Sequence, residues 1–413
     1  MSVLLCFFRL YLAVSRKKRI FATDLSERMR TDNKTLKIVY CIPALYLAGG
    51  MERVLTLKVN YFAEHFGYDI TVILTDGKGK PFFYPLSPKI HVINLDIGFE
   101  ELWNASFVKK TFLYLKKQRL YKQRLTAELM RLRPDVTVSL LRREINFLCG
   151  IKDGSRKVGE IHINRAHYRT FEEHETSMLK NLFSKLWMCD LLRHLRRLDR
   201  FVVLTESDKD AWQELEHVEV IPNPMSFVSE RFSSLTEKRV IVVGRYCHEK
   251  GYDHLLQAWS LVQDAIPDWR LDVFGDGDRT SYDQLMDQLH IRRDRCRLNG
   301  RSDHIEEEFL RSSIAVCSSR FEGFGMVIVE AMACGVPVVS FDCPWGPRHI
   351  ITDGRDGMLV ENGNVEQLAE ALKSLMSHPD RIMQMGEKAR VNVRRFSMET
   401  IAEQWRHLFE SLN

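Results

Sequence analysis

Short unbroken apolar runs alternate along the chain with longer stretches in which apolar and polar residues mix at helical spacing. The first pattern marks buried strands and the second amphipathic helices. Lys37–Ile42, Asp69–Thr75, Ile90–Leu95, Val136–Leu140 and Arg200–Thr205 read as strands, with a helix over Met51–His65 and a long helical stretch before Val136. Ile221-Pro-Asn-Pro224 stops both helix and central strand, so it reads as a linker. The alternation then restarts. Strands are expected at Arg239–Val243, Arg270–Phe274, Cys296–Asn299, Ile314–Cys317 and Val336–Ser340, and helices at Tyr252–Gln263, Tyr282–Leu289, Ile305–Arg311 and Met326–Cys334. This grammar predicts an α/β protein of two Rossmann-like, doubly wound parallel-sheet domains facing a central cleft. Residues 1–35 are expected to form an extension or linker, 36–222 the first domain, 223–395 the second, and 396–413 a C-terminal helix packing back towards the first.

Composition adds a division of labour. The 413 residues are 45% hydrophobic and 28% charged, enough for two cores. The nine cysteines are odd in number, irregularly spaced and without a CxxC pair. That argues against a zinc site or a secreted disulfide framework and for a reducing compartment. Residues 1–200 carry 36 Lys and Arg against 20 Asp and Glu, whereas residues 201–413 carry 24 against 35. A basic first half suits a phosphate-rich partner, and with no nucleic-acid module in view the expected one is an anionic membrane surface. Lys109 to Arg133 holds nine basic residues and one acidic residue, Glu128, interleaved with Phe112, Leu113, Leu115, Leu120 and Leu125. This is either a basic amphipathic helix lying on lipid or a core-facing helix with a solvated basic back. Met178 to Arg200 adds Leu182, Phe183, Leu186 and Trp187 beside Arg193, Arg196 and Arg197. At the N-terminus, Met1 to Val14 is apolar but short, broken by Arg9 and followed by Arg16-Lys-Lys-Arg19. It reads as an interfacial anchor or as an extension ahead of a domain starting at Met29, and no stretch is apolar for the roughly 20 residues a spanning helix needs.

The chemistry-bearing segment is Glu322-Gly-Phe-Gly-Met-Val-Ile-Val-Glu330. A Gly-Phe-Gly turn runs into a helix whose unpaired backbone N–H groups can hold an anion or sugar oxygens. Glu322 and Glu330 put carboxylates, strong acceptors for hydroxyls, at one rim of the cleft. Arg245 and Lys250 sit at a strand–helix junction, where fixed cations can offset charge that develops on a leaving diphosphate. Gly49-Gly50 would let a phosphate approach the backbone ahead of the helix at Met51. His162 is the best candidate base, ahead of His167 and His248. No carboxylate–histidine cluster has metal spacing, so no metal is expected. Phe274-Gly-Asp-Gly277 hints at a dinucleotide fingerprint, but Thr280 replaces its third glycine and Asp276 and Asp278 would repel pyrophosphate.

Glu322 and Glu330 resemble the E-x7-E motif of the retaining GT-B glycosyltransferases of family 4. Further resemblances lie in Gly49-Gly-Met-Glu-Arg-Val54, Thr205-Glu-Ser207, Ile221-Pro-Asn-Pro224, Val243-Gly-Arg-Tyr-Cys-His-Glu-Lys250 and Gly346-Pro-Arg-His-Ile350, and Glu160-Ile-His-Ile-Asn164 is similar to the family's Glu-His-Asn segment. The resemblance covers residues 36–413. It implies a donor sugar at Glu322, the nucleotide ribose at Glu330, the diphosphate at Arg245 and Lys250, and sugar and phosphate contacts from Gly323, Phe324, Gly325, Met326 and Val327. Gly49, Gly50, Gly244, Asn299, Gly300 and Arg301 complete the implied donor site. The implied activity is retaining transfer from a nucleotide-sugar to a glycan or lipid-linked glycan in cell-surface polysaccharide biosynthesis, without cofactor or metal, by a cytoplasmic enzyme peripheral to the membrane. Cys343-Pro-Trp-Gly-Pro347 resembles a segment of polysaccharide enzymes and favours a UDP-sugar over a GDP-sugar, although Trp345 departs from the small residue usual there. A nucleotide-sugar epimerase is the alternative, and a dinucleotide-dependent oxidoreductase ranks last.

Overall fold

A computed structural model describes residues 35–102, 107–165 and 178–412. The expectations for residues 1–28 and for His167 lie outside these, as do the side chains of Leu182 and Phe183. The first lobe is a seven-stranded parallel sheet in the order β3-β2-β1-β4-β5-β6-β7. Its strands are β1 (Lys37–Ile42), β2 (Asp69–Leu74), β3 (His91–Asn94), β4 (Val136–Ser139), β5 (Arg156–Glu160), β6 (Arg200–Val203) and β7 (Val218–Val220). The second lobe is a six-stranded parallel sheet ordered β10-β9-β8-β11-β12-β13, with β8 (Arg239–Val243), β9 (Arg270–Phe274), β10 (Cys296–Asn299), β11 (Ile314–Cys317), β12 (Val338–Phe341) and β13 (Gly357–Val360).

The strands are continuous apolar runs because helices cover both faces of each sheet. Successive side chains of β1 point opposite ways. Ile38, Tyr40 and Ile42 pack with Leu55 and Val59 of the helix Gly50–Tyr61 and with Phe62 just beyond it, while Val39 and Cys41 pack with Tyr121, Leu125 and Leu129 of the helix Phe107–Leu132. In the second lobe Val240 and Val242 meet Leu255, Leu256 and Trp259, and Ile241 on the other face meets Ile328, Val329 and Met332. The helix Met398–Glu410, capped by Ser397, buries Ile401, Ala402, Trp405 and Phe409 in the first lobe's core beside Tyr40 and Phe62. Trp405 lies over the Lys58 ammonium, 4.3 Å from its ring centre.

The basic helix Phe107–Leu132 divides between its two readings. Tyr121, Leu125 and Leu129 are fully buried, whereas Phe112 is 71% exposed and Leu115 54%, next to exposed Lys116, Arg119 and Lys122. Leu186 and Trp187 are also exposed. No helix among the described residues is long and apolar enough to cross a membrane. The last sheet strand, β13, and the helices Val365–Met376 and Pro379–Asn392 complete the second lobe beyond the strands read from sequence. The strand expected from Val336 begins at Val338, because Pro337 lends its carbonyl to Ala315 but has no N–H to give.

Candidate active site

In the second lobe the strand order reverses between β8 and β11, and the loops leaving their carboxyl ends form the crevice where such sheets bind ligands. Lys250, on the loop after β8, donates to Glu322 Oε1, on the loop after β11, at 2.6 Å. Ser319 Oγ donates to the same oxygen at 2.6 Å. Burial alone would lower the Lys250 pKa, but the Glu322 carboxylate reverses this and holds it above the usual lysine value. Arg245, five residues earlier, is exposed and forms no ion pair among the described residues. The crevice therefore holds a fixed ammonium and a fixed carboxylate, with Arg245 exposed on the same loop as Lys250.

Phe274-Gly-Asp-Gly277 shapes this loop. A Cβ at Gly275 would collide with the Gly244 carbonyl, and the Asp276 carbonyl accepts from the Tyr246 N–H at 2.7 Å. The two glycines serve a close approach of two loops that carries Arg245. Gly244 accepts from the Tyr252 hydroxyl at 2.7 Å, which pins the start of the same loop.

Gly325 caps the helix Met326–Ala333 at φ 102°, a left-handed conformation that suits glycine, and no side chain caps that helix end. Its first two N–H groups, those of Met326 and Val327, are therefore available to a ligand, while those of Ile328 and Val329 donate to the Gly325 carbonyl. Phe324 is buried edge-on against Phe396 and anchors the turn. Glu330 lies about one turn along the helix, 5% exposed, and Oε1 accepts from Arg53 Nη1 at 2.8 Å and Ser226 Oγ at 2.6 Å. Burial raises its carboxyl pKa, against the pull of Arg53 and Ser226. Arg53 belongs to the first lobe, so this bond joins the two sides of the cleft.

Gly49 and Gly50 open the helix Gly50–Tyr61, and the Glu52 carboxylate folds back into the space a Gly49 Cβ would need. An acidic group thus occupies the positive end of that helix. His162 follows β5, with Nε2 3.1 Å from Glu160 Oε1. Glu160 is also paired with buried Lys58. Burial pushes the Glu160 carboxyl up, but Lys58 and His162 overturn this and hold it at about 2. The His162 carbonyl abuts Gly323, where a Cβ would come within 2.5 Å of it. Ser207 Oγ and His349 Nε2, 2.7 Å apart, make a further contact between lobes.

The structure thus brings Lys250, Glu322, Gly323 and His162 to one stretch of the cleft and Glu330 to its neighbour. Asn299 ends β10, two strands from β8, and Gly300 and Arg301 follow it, where Arg301 pairs with Asp303 at 2.6 Å and stacks 4.8 Å from the Phe83 ring of the first lobe. His248 is exposed, and its carbonyl accepts from Arg320 at 2.8 Å. Sequence reasoning missed Arg53, Ser226 and Ser319 as partners of the two glutamates. Arg53 was legible only as part of the Gly-Gly-x-Glu-Arg-Val context, since nothing in the spacing reveals a partner 277 residues away.

Residues 228–392 match the family described as glycosyl transferases group 1. An uncharacterized glycosyltransferase of Haemophilus influenzae is 28% identical over 375 residues, covering 90% of this chain and 99% of that protein. Residues 228–392 thus form a group 1 glycosyltransferase domain, in a chain of GT-B fold. The chain is also 36% identical over 247 residues to an exopolysaccharide phosphotransferase of Streptomyces coelicolor, covering 58% of this chain but only 26% of that longer protein. TarM of S. aureus, solved with fondaparinux, alpha-GlcNAc-glycerol and UDP, superimposes with a TM-score of 0.70 at 17% identity, over 91% of this chain and 100% of the other. At that identity the likeness speaks for the fold.

Proposed function

We propose that this glycosyltransferase moves a sugar from a UDP-sugar, or a GDP-sugar, to a glycan or lipid-linked glycan in bacterial polysaccharide biosynthesis, with retention at the anomeric carbon. The observation that carries this reading is the Lys250–Glu322 contact of 2.6 Å at the β8/β11 reversal, with Arg245 on the same loop in no ion pair among the described residues. A diphosphate seated there meets a guanidinium that can bind it two-pronged, an ammonium with donors left over beyond Glu322, and the N-terminus of the helix Met326–Ala333. Glu322 accepts from donor-sugar hydroxyls, and Glu330 Oε2 accepts from the ribose while Oε1 stays with Arg53 and Ser226.

As the anomeric C–O bond breaks, its electron pair stays on the diphosphate, where Arg245 and Lys250 offset the new charge. The acceptor hydroxyl oxygen bonds to the anomeric carbon on the face just vacated, and its proton passes to the departing phosphate oxygen. No paired acid and base is then needed, and His162 serves to line the sugar pocket beside Gly323. TarM was solved with UDP and alpha-GlcNAc-glycerol, which supports a uridine nucleotide and an alpha linkage here. Exposed Phe112 and Leu115 among Lys116, Arg119 and Lys122 support docking of the first lobe on anionic lipid. A thermal-shift screen with UDP, GDP and ADP tests the donor class, since the cognate nucleotide stabilises by mass action. Proton NMR of the transferred sugar tests retention. An altered free nucleotide-sugar made without acceptor would replace this reading with the epimerase.

A further inference from the structure

The first lobe has its own reversal of strand order, between β1 and β4. The segment leaving β4 there is built with care. Leu141 takes a left-handed φ of 49°, rare for a branched side chain. Buried Glu144 holds the segment, accepting from Ser139 Oγ at 2.7 Å, the Arg142 N–H at 3.2 Å and the Tyr121 hydroxyl at 3.2 Å. These bonds fix the Arg142 backbone at the carboxyl end of β4, the end at which such sheets bind ligands. The guanidinium reaches the Met51 sulfur, 3.6 Å from Nη2, at the start of the helix Gly50–Tyr61. Its Nε is buried with no hydrogen-bond partner, and no carboxylate pairs with Arg142 among the described residues. A covered charged donor without a partner is unfavourable unless a ligand supplies one.

Position indicates which ligand. β4 lies between β1 and β5, and the elements that follow those two strands both touch the second lobe, through Arg53 to Glu330 and through the His162 carbonyl to Gly323. Arg142 therefore sits between two points where the lobes meet, on the face opposite the donor loop. The donor diphosphate already has Arg245 and Lys250 from the other side. A guanidinium recognises a carboxylate or phosphate in particular, because its planar fork matches two acceptor oxygens.

We propose that Arg142 binds an anionic group, carboxylate or phosphate, carried by the acceptor. This rests on the glycosyl-transfer reading above. The test is calorimetric titration of the full chain saturated with UDP, using methyl glucoside 6-phosphate, methyl glucuronide and, as the uncharged control, methyl glucoside. At least one charged probe is expected to bind about 10- to 100-fold tighter than the control, the range of a charge-assisted contact. Arg142→Met should abolish that preference and Arg142→Lys keep part of it, with UDP affinity unchanged in both. Neither variant should lower Tm, because the guanidinium bonds no carboxylate among the described residues. Equal binding of all three probes to the wild type, or a preference that survives in Arg142→Met, overturns the proposal. So does a loss of UDP affinity in Arg142→Met, which would assign the guanidinium to the donor. A wild type that bound no UDP would sink the transfer reading itself, a separate result.

Discussion

Replacing Lys250 by methionine separates the two tasks of its ammonium, holding the fold and offsetting charge on a leaving group. The side chains of Lys250 and Glu322 are 21% and 14% exposed. Removing one member of a fully buried pair costs about 3–5 kcal/mol, because the survivor stays charged and unpartnered. Here Ser319 still donates to the same Glu322 oxygen at 2.6 Å. Water also reaches the pair, so the expected loss is about 1–2 kcal/mol, nearer that of one charge-assisted hydrogen bond. For a lobe of this size that lowers Tm by roughly 2–8 °C. In the double variant K250M/E322Q the amide needs no counter-ion, so most of the lost Tm should return. Activity should not return, since one missing charge-stabilising donor costs about 10²–10³ in kcat. The assay pairs thermal denaturation with UDP-sugar transfer for wild type, both single variants and the double. The pH dependence has a fixed sign. A lysine whose pKa is raised by folding gives its full stability below its ordinary value and loses it only as pH climbs through the higher folded one, so the pair should hold throughout the neutral range. A K250M enzyme with kcat within threefold of wild type, or a double variant no more stable than K250M, would refute the reasoning.

Other outcomes follow from groups around the cleft. Burial raises the Asp208 carboxyl to about 7, against its hydrogen bond from Thr205. Folding then favours the protonated form, so stability falls as pH rises from the ordinary carboxylate value through 7. Asp208→Asn should flatten that slope and stabilise the protein at pH 8 by up to about 4 kcal/mol, read from urea denaturation at pH 5 and pH 8. Glu160 behaves in the opposite sense. Its carboxyl, held at about 2, lends stability above the ordinary glutamate value that is lost as pH falls towards 2. Glu160→Gln should be less stable at pH 7 and show a shallower acid transition by circular dichroism. Trp405→Ala removes a side chain 1% exposed that covers the Lys58 ammonium, and should cost about 3–5 kcal/mol in chemical denaturation. Gly323→Ala puts a methyl group against the His162 carbonyl, so it should raise the donor KM by hindering lobe contact while leaving Tm near wild type.

The two parallel sheets were legible because buried strands of this kind are continuous apolar runs, and Pro222 and Pro224 punctuate the join. The helix Pro379–Asn392 was harder to read, since its buried face is only Ile382, Met385, Gly386 and Ala389 amid charges. In the site, Lys250 and Glu322 stood out through local motifs, and the fold explains their meeting: each follows one of two strands that are neighbours in the sheet though far apart in sequence. Local patterns carry no such information for Arg53 or Arg142, whose significance lies in a partner across the cleft and in the lack of one. Phe274-Gly-Asp-Gly277 shows the converse, a nucleotide-like pattern whose first glycine serves loop packing. Leu125 illustrates the same limit within one helix, as its spacing among lysines and arginines did not reveal that it faces the core.

The central claim is that Arg245 and Lys250, set against Glu322, grip the diphosphate of a sugar nucleotide. Calorimetric titration of the full chain with UDP and with uridine measures that grip directly. The account predicts that wild type prefers UDP over uridine by at least about 100-fold, from two charge-assisted contacts, and that this preference collapses in R245A/K250A while uridine binding persists. Equal affinity for UDP and uridine in the wild type, or an undiminished preference for UDP in the double variant, would contradict it.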